Sequence, residues 1–450
     1  MTDRPTRRTF LGTAGLTLLA ARSPRTYAAN DAVAVAIIGV GGMGGGNRKE
    51  LAALGARITA LCDADQGRLE AALKDHPGAR TWTDFRRMLQ EQKDFDAVMV
   101  STPDHLHAPA SLMAMKLGKA VDTEKPLTHS VYEARALAEA ARRFKVATQM
   151  DNEGHASEDV RRCAEWLRAG VIGKVREAHI WTDRPIWPQG ISKRPPSKPV
   201  PPKLDWNLWL GPAPYRDYHD HLHPFAWRGW WDFGTGALGD MGCHWWDAAF
   251  WGLRLGEAKT FTVEAEQEGN SAETGPHWSR VTYRFPARGD LPPVTVTWWD
   301  GRRRRPGTGP EGPYDLPNLP PRPEAMDPGK KLDTNGAIYV GEKAVIVNSH
   351  HRSAVYPEAK ARELPYPERG SLIPRSPGHK KEWLEAIRGG PPPGSNFADY
   401  GGPLAEMVLL GNIAVRTGLR FEWDVAALRA KNCPEADALV RREYRKGWEL

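Results

Sequence analysis

Between positions 33 and about 152, short apolar runs alternate with amphipathic stretches. The runs 35–39, 58–62, 97–101, 120–123 and 146–150 read as strands, and the stretches 43–54, 67–75, 109–117 and 131–144 as helices. Strands that alternate with helices predict parallel pairing in a doubly wound sheet. After Asn152 the rhythm changes. A helix at 157–169 leads into longer alternating runs at 175–182, 259–266, 278–285 and 294–299, interrupted by proline-rich loops at 184–203 and 306–330. These predict a second, α+β domain with a mainly antiparallel sheet, closed by helices near 379–388 and 404–417 that are free to pack back on the first. The expected class is therefore α/β: a doubly wound domain over 31–152 and an α+β domain over 153–450.

The first 29 residues read differently. Thr6-Arg7-Arg8-Thr9-Phe10-Leu11 precedes a mildly apolar stretch, 12–21, and small residues at Ala28 and Ala29 where cleavage fits. This is an export leader, too short in its apolar part to span a bilayer, and twin arginines address the folded-protein route. Arg22 and Arg25 favour that route, and no Cys opens the mature chain to carry a lipid anchor. An exported, periplasmic location is expected, with no membrane span in the mature chain. Five arginines against Asp3 place +4 of the formal +7 charge in the leader. What is left is no nucleic-acid footprint. Arg302 to Arg305 form the one tight basic run and read as a solvated loop face. Cys62, Cys163, Cys243 and Cys433 have neither zinc nor disulfide-framework spacing, so buried thiols are expected and no metal.

The first strand runs into Gly39-Val40-Gly41-Gly42-Met43-Gly44, a G-x-G-x-x-G turn that opens a helix. Gly39 permits the tight turn, Gly41 lets the backbone approach a pyrophosphate, and Gly44 lets helix and strand pack closely. The helix N-terminus offers unpaired N–H groups to phosphates. Asp63 closes the next strand where a ribose-binding acid belongs, and with no arginine beside it the site favours NAD over NADP.

Three further segments carry chemistry. Ser101-Thr102-Pro103-Asp104-His105-Leu106-His107 ends a strand at the carboxyl edge of the sheet. Glu124-Lys125-Pro126 ends the next, with a candidate cis peptide that aims the Lys125 ammonium into the crevice. In the segment from Gly236 to Asp247, Asp240 and His244 stand four apart on one helix face, where a carboxylate can orient an imidazole. In order and spacing these segments resemble the Gfo/Idh/MocA family of oxidoreductases. The resemblance implies a Rossmann domain, a second domain whose open sheet mediates homo-oligomerisation, and Lys125, Asp240 and His244 as the catalytic set. His244 would take a hydroxyl proton, Asp240 would hold His244, and Lys125 would bond the developing oxyanion. Met43, Thr102, Pro103, His107, Glu124 and Asn152 join the glycines, Asp63 and Lys125 on the cofactor side. For Asp247, Gln149, Asn152 and His155 a structural role fits as well as a site role.

Tryptophan bears on the substrate. Of 18 in the chain, Trp181, Trp187, Trp206, Trp209, Trp227, Trp230, Trp231, Trp245 and Trp246 crowd the segments that lead into and form the Asp240 helix. Flat aromatic faces suit sugar rings, and Arg184, Arg228 and Asp232 suit hydroxyls. Arg184, Trp187, Arg228 and Trp231, with Asp240 and His244, are the expected substrate contacts. The sequence thus predicts an exported NAD oxidoreductase for a sugar, polyol or glycoside, with a tightly held cofactor and internal hydride return. Two other readings stand beside it: an NAD-dependent glycosidase working by transient oxidation and elimination, and a non-catalytic carbohydrate-binding protein.

Overall fold

Residue burial follows the predicted alternation closely in the first half of the chain. The computed structural model describes residues 32–349 and 352–450, so the expected twin-arginine leader lies outside the described residues. Six strands, β1 (Ala34–Ile38), β2 (Arg57–Cys62), β3 (Arg80–Trp82), β4 (Ala97–Val100), β5 (Ala120–Glu124) and β6 (Thr148–Asp151), make one parallel sheet in the order β3-β2-β1-β4-β5-β6. Helices α1 (Met43–Ala53), α2 (Gln66–Asp75), α3 (Phe85–Glu91), α4 (His107–Lys116) and α5 (Val131–Phe144) connect the strands. Asp65 starts α2 by accepting from Gly67 N and Arg68 N, and Ser130 with Glu133 forms a capping box on α5. Strand order reverses between β1 and β4, and that switch point opens the crevice at the strands' carboxyl ends.

The second sheet holds β7 (Val175–Trp181), β8 (Thr260–Glu268), β9 (Trp278–Phe285), β10 (Val294–Arg304), β11 (Tyr314–Pro317), β12 (Gly336–Gly341), β13 (Val345–Ser349), β14 (Arg352–Tyr356), β15 (Phe421–Asp424) and β16 (Arg429–Lys431). Its order is β14-β13-β12-β7-β10-β9-β8-β15-β16, with β11 on β10, and it is antiparallel except where β7 meets β10. The chain also forms α6 (Glu158–Arg168), α7 (Trp206–Leu210), α8 (Gly236–Trp245) and α9 (Asp247–Gly252), of which α7 and α8 reach the crevice. The helix Gly402–Thr417 packs against both α5 and α8, and Arg135 Nη2 donates to Glu406 Oε1 at 2.8 Å across that contact. One apolar core continues through both sheets.

Two readings of the sequence are corrected here. The arginine run is not a loop: Arg302, Arg303 and Arg304 extend β10 and pair with β11. A neighbouring group receives each charge in turn, since Arg303 lies 4.2 Å over Trp278, Arg304 Nε meets Glu268 at 3.1 Å and Arg305 Nε meets Asp315 at 3.0 Å. The pair β3 and α3 was not expected either. Arg80 and Thr81 of three-residue β3 are exposed, so no apolar run marks it.

Candidate active site

The glycine turn has the geometry of a phosphate cradle. Gly39 sits at φ 83° with its N–H on Cys62 O at 2.7 Å, and a Cβ there would press on Ser101 O at 2.5 Å. A Cβ on Gly44 would overlap the Gly39 carbonyl, so only glycine lets α1 lie this close to β1. Gly42 begins α1 with no side-chain cap and no neighbour within 4 Å of its Cβ position, and no acidic residue stands in the first turn. The N–H groups there are left for an anion.

Asp63 follows β2 and is fixed by its own backbone surroundings: Val40 N donates to Oδ2 and Asp65 N to Oδ1, each at 3.0 Å. Burial raises its pKa, against those bonds and the nearby Arg68 charge. Arg68 corrects the expectation that no arginine stands near. One turn into α2, it lies against Gly41, where an added Cβ would run into its guanidinium, and its Nε is 3.6 Å from Asp65. Spacing in sequence hid it, because the start of α2 folds back over the turn.

A cavity of about 360 Å³ joins this cradle to the second half of the molecule. Gly39, Gly41, Gly42, Met43 and Asp63 line one part, and Lys125, Arg228 and Asp240 another, with Thr102, Pro103 and Glu124 between. The Lys125–Pro126 peptide is cis. Lys125 Nζ donates to both Oδ1 and the carbonyl oxygen of Asp240 at 2.9 Å, and Arg228 Nε lies 3.4 Å from the same carboxylate. Burial alone would depress the Lys125 pKa, but the Asp240 and Glu124 charges outweigh it and raise it. For Asp240 burial pushes upward, and Lys125 and Arg228 bring the pKa below the ordinary value. At neutral pH the two form an ammonium–carboxylate pair.

Two more carboxyls face the cavity in another state. Burial pushes Asp104 up to about 7, partly offset by the Thr235 hydroxyl, which donates to it at 2.7 Å. Burial and then Asp151 push Glu124 up to about 8, while Asn47 Nδ2 donates to it at 3.0 Å. Asp104 had no role in the sequence reading, although it stands in the T-P-D-H segment. By holding Thr235, it ties that segment to the first residue before α8.

His244 stands one turn beyond Asp240 on α8, half-buried, and the cavity lining stops at Asp240. Its charge still acts to lower the Asp240 pKa. Other expected contacts fall elsewhere. His107 is buried with its ring nitrogens on Pro126 O and Thr102 O, each 2.8 Å, so it joins two segments beside the cavity and is not itself in the lining. Asn152 is wholly buried outside the cavity lining, donating to Cys243 O and Asp247 Oδ2 at 3.3 Å. His155 pairs with Asp247 at 2.9 Å, and Gln149 donates to His379 O at 3.1 Å, both inside the core.

The tryptophan crowd is mostly packing. Trp206, Trp209, Trp227 and Trp230 form a separate apolar cluster with Phe233, and Trp181, Trp245 and Trp246 belong to the core; Trp209 and Trp227 alone of these also line the cavity. Trp187 donates to Gln189 at 2.9 Å and lies beside Arg228 without reaching the cavity. Arg184 pairs with its neighbour Asp183 outside it. Trp231 lines a different, smaller cavity with Arg416. Conversely, His223, Phe85 and Trp448 line the main cavity and were missed. Chain distance hid Trp448 in particular.

Sheet order, uncapped helix and strand-end acid define an α/β dinucleotide-binding protein. Residues 33–152 match the model of the oxidoreductase family's NAD-binding Rossmann fold, and residues 179–290 that of its C-terminal alpha/beta domain. Together they take in more than half of the chain, and the protein belongs to this Gfo/Idh/MocA oxidoreductase family, with NAD as the cofactor of its first domain. It is 34% identical over 113 residues to an inositol 2-dehydrogenase of Rubrobacter xylanophilus, covering 25% of this chain and 32% of that one. It is 31% identical over 156 residues to a glycosyl hydrolase family 109 protein of Shewanella baltica, covering 32% and 34%. The matched stretch thus spans about a third of the length of these curated relatives. In fold it is similar to the WlbA dehydrogenase from Bordetella pertussis, crystallised with NADH and UDP-GlcNAcA, at a TM-score of 0.60 and 16% identity over 87% of this chain and 99% of that one.

Proposed function

We propose that this protein is an exported NAD-dependent oxidoreductase that oxidises a CH–OH carbon of a sugar, polyol or glycoside and retains its cofactor between turnovers. The carrying observation is the continuity of one cavity from the Gly39–Gly42 turn and Asp63 to the Lys125–Asp240 pair. The uncapped α1 N-terminus would hold the pyrophosphate and Asp63 the ribose hydroxyls. Bound NAD supplies the hydride acceptor. Lys125 keeps its charge through Asp240 and spends two of its three protons on that residue, leaving one for a substrate oxygen as negative charge develops. His244 takes the hydroxyl proton, and Arg228 and Trp227 face the rest of the substrate. The names of the relatives, a polyol dehydrogenase and a glycosyl hydrolase, support the substrate class. The open ten-stranded sheet is the surface we assign to homo-oligomerisation.

Export rests on Arg7 and Arg8 in their leader context. An envelope compartment offers no substantial free NAD pool, so a protein that released its nucleotide each cycle would stop. A hydride taken from one carbon then has to return to the same molecule or to a second substrate. The glycosyl hydrolase likeness favours a second reading, in which oxidation acidifies a neighbouring C–H, the aglycone leaves by elimination, water adds and the carbonyl is reduced again. The charged Lys125–Asp240 pair in the cavity weighs against a non-catalytic receptor.

The test is purification from the native envelope, dialysis, quantitation of bound nucleotide, and product analysis with candidate sugars and glycosides. Near-stoichiometric NAD, with turnover that needs no added cofactor and accumulates no NADH, is expected. Aglycone release under those conditions selects the second reading. Protein that arrives empty and needs millimolar NAD, or stays cytoplasmic with its leader uncleaved, reduces the reading to an ordinary sugar dehydrogenase.

A further inference from the structure

The part of the cavity beyond Asp63 is walled by residues from opposite ends of the chain. Thr83 and Asp84 come from the loop between β3 and α3, Phe85 from the first position of α3, and Trp448 from the segment 441–450. Trp448 is buried, with its ring 5.9 Å from that of Phe85 at 62°. The Arg86 guanidinium covers the indole at 3.8 Å and is itself locked on Asp84 by bonds of 3.0, 3.2 and 2.7 Å. The segment is clamped in place: Arg445 donates to Gly211 O at 2.8 Å, Asn207 Oδ1 at 2.9 Å and Asn207 O at 2.8 Å, and Trp448 N closes a turn on Arg445 O at 3.0 Å. Gly211 makes room, because a Cβ there would strike Leu106 and touch the Trp448 ring at 3.6 Å.

We propose that Trp448, with Phe85 packed edge-on against it, is the wall of the adenine subsite, and that the segment 441–450 is the closure that retains the dinucleotide. This rests on the NAD reading of the cradle. Past the strand-end acid the base is the next part of a dinucleotide, and a flat aromatic wall beside which the Asp84 carboxylate is neutralised by Arg86 suits a neutral purine. The wall belongs to a segment anchored to α7 and its loop, so the nucleotide cannot slide out along the sheet edge without displacing Trp448 or breaking the Arg445 bonds. A cofactor held between turnovers needs such a closure.

The test uses the full chain. NAD release from the holoprotein is timed after dilution, and ADP and nicotinamide mononucleotide are titrated into protein emptied of nucleotide. Trp448→Ala should speed NAD release and weaken ADP by roughly tenfold or more, the worth of one base–aromatic stack, and leave nicotinamide mononucleotide unchanged. Trp448→Phe should fall between and lose most of the ADP-dependent quench of indole emission. Should the alanine variant not fold, that quench decides: its loss supports the proposal and its persistence overturns it. ADP affinity and NAD release unaltered in both variants would also overturn it while leaving the NAD reading intact. An unmodified protein that binds neither NAD nor ADP overturns both.

Discussion

Lys125 and Asp240 are joined twice, the ammonium donating to the carboxylate and to the backbone carbonyl of the same residue at 2.9 Å each. The carboxyl end of β5 is thereby pinned to the middle of α8, and the charge states of the two residues are set together.

The pairing predicts a pH effect of definite sign. Asp240 is the largest influence raising the Lys125 pKa, while burial and Arg228 lower it. In Asp240→Asn the lowering influences win, so the ammonium is lost at a lower pH and the alkaline limb of kcat/KM moves toward neutrality. Loss of the oxyanion donor in Lys125→Met should cost about 10²–10³ in kcat. Stopped-flow hydride transfer across pH checks both, and an unmoved alkaline limb in Asp240→Asn would contradict the coupling.

His244→Ala separates chemistry from folding. Because His244 belongs to α8 while the nucleotide cradle belongs to β1, α1 and β2, the variant should bind NAD as before and lose about 10²–10⁴ in the hydride step. Equal losses of NAD affinity and turnover would make His244 a folding residue.

The first sheet was legible because each long strand is an apolar run ended by a polar signal, as at Ile38–Gly39 and Cys62–Asp63. Strand β3 was not, since Arg80 and Thr81 face solvent at the sheet edge. Local motifs located Lys125 and Asp240. They could not show that Lys125 takes the Asp240 carboxylate, because that contact joins residues 115 apart. Arg68 and Trp448 escaped for the same reason: each reaches the cavity by a fold-back that leaves no periodic trace. The tryptophans misled because an indole is as useful in packing as in sugar binding.

Asp104 gives a stability prediction. Its carboxyl is pushed up to about 7 by burial, from 3.8 when unfolded, so below pH 3.8 it costs nothing, and stability is lost as pH rises toward and through 7. Asp104→Asn keeps an acceptor for Thr235 and removes that titration. Its advantage over the unmodified protein should grow by on the order of 2–3 kcal/mol from pH 5 to 8. Denaturant melts at both pH values measure it; parallel curves would mean that Asp104 stays solvated.

Cofactor choice turns on Asp63 and Arg68 together. The Asp63 carboxylate, held open by the Val40 and Asp65 amides, accepts ribose hydroxyls and repels a 2′-phosphate. Arg68 nevertheless already lines the cavity, within electrostatic reach of that carboxylate. Asp63→Ser should therefore be enough by itself to move preference toward NADP, without a new arginine, by roughly tenfold or more in the ratio of dissociation constants. Adding Arg68→Ala to it should cancel most of the gain in NADP affinity, since the phosphate then has no partner. Titration of both nucleotides into the three proteins checks this. Tighter binding of NADP than NAD by the unmodified chain would mean that Arg68, not Asp63, governs the site.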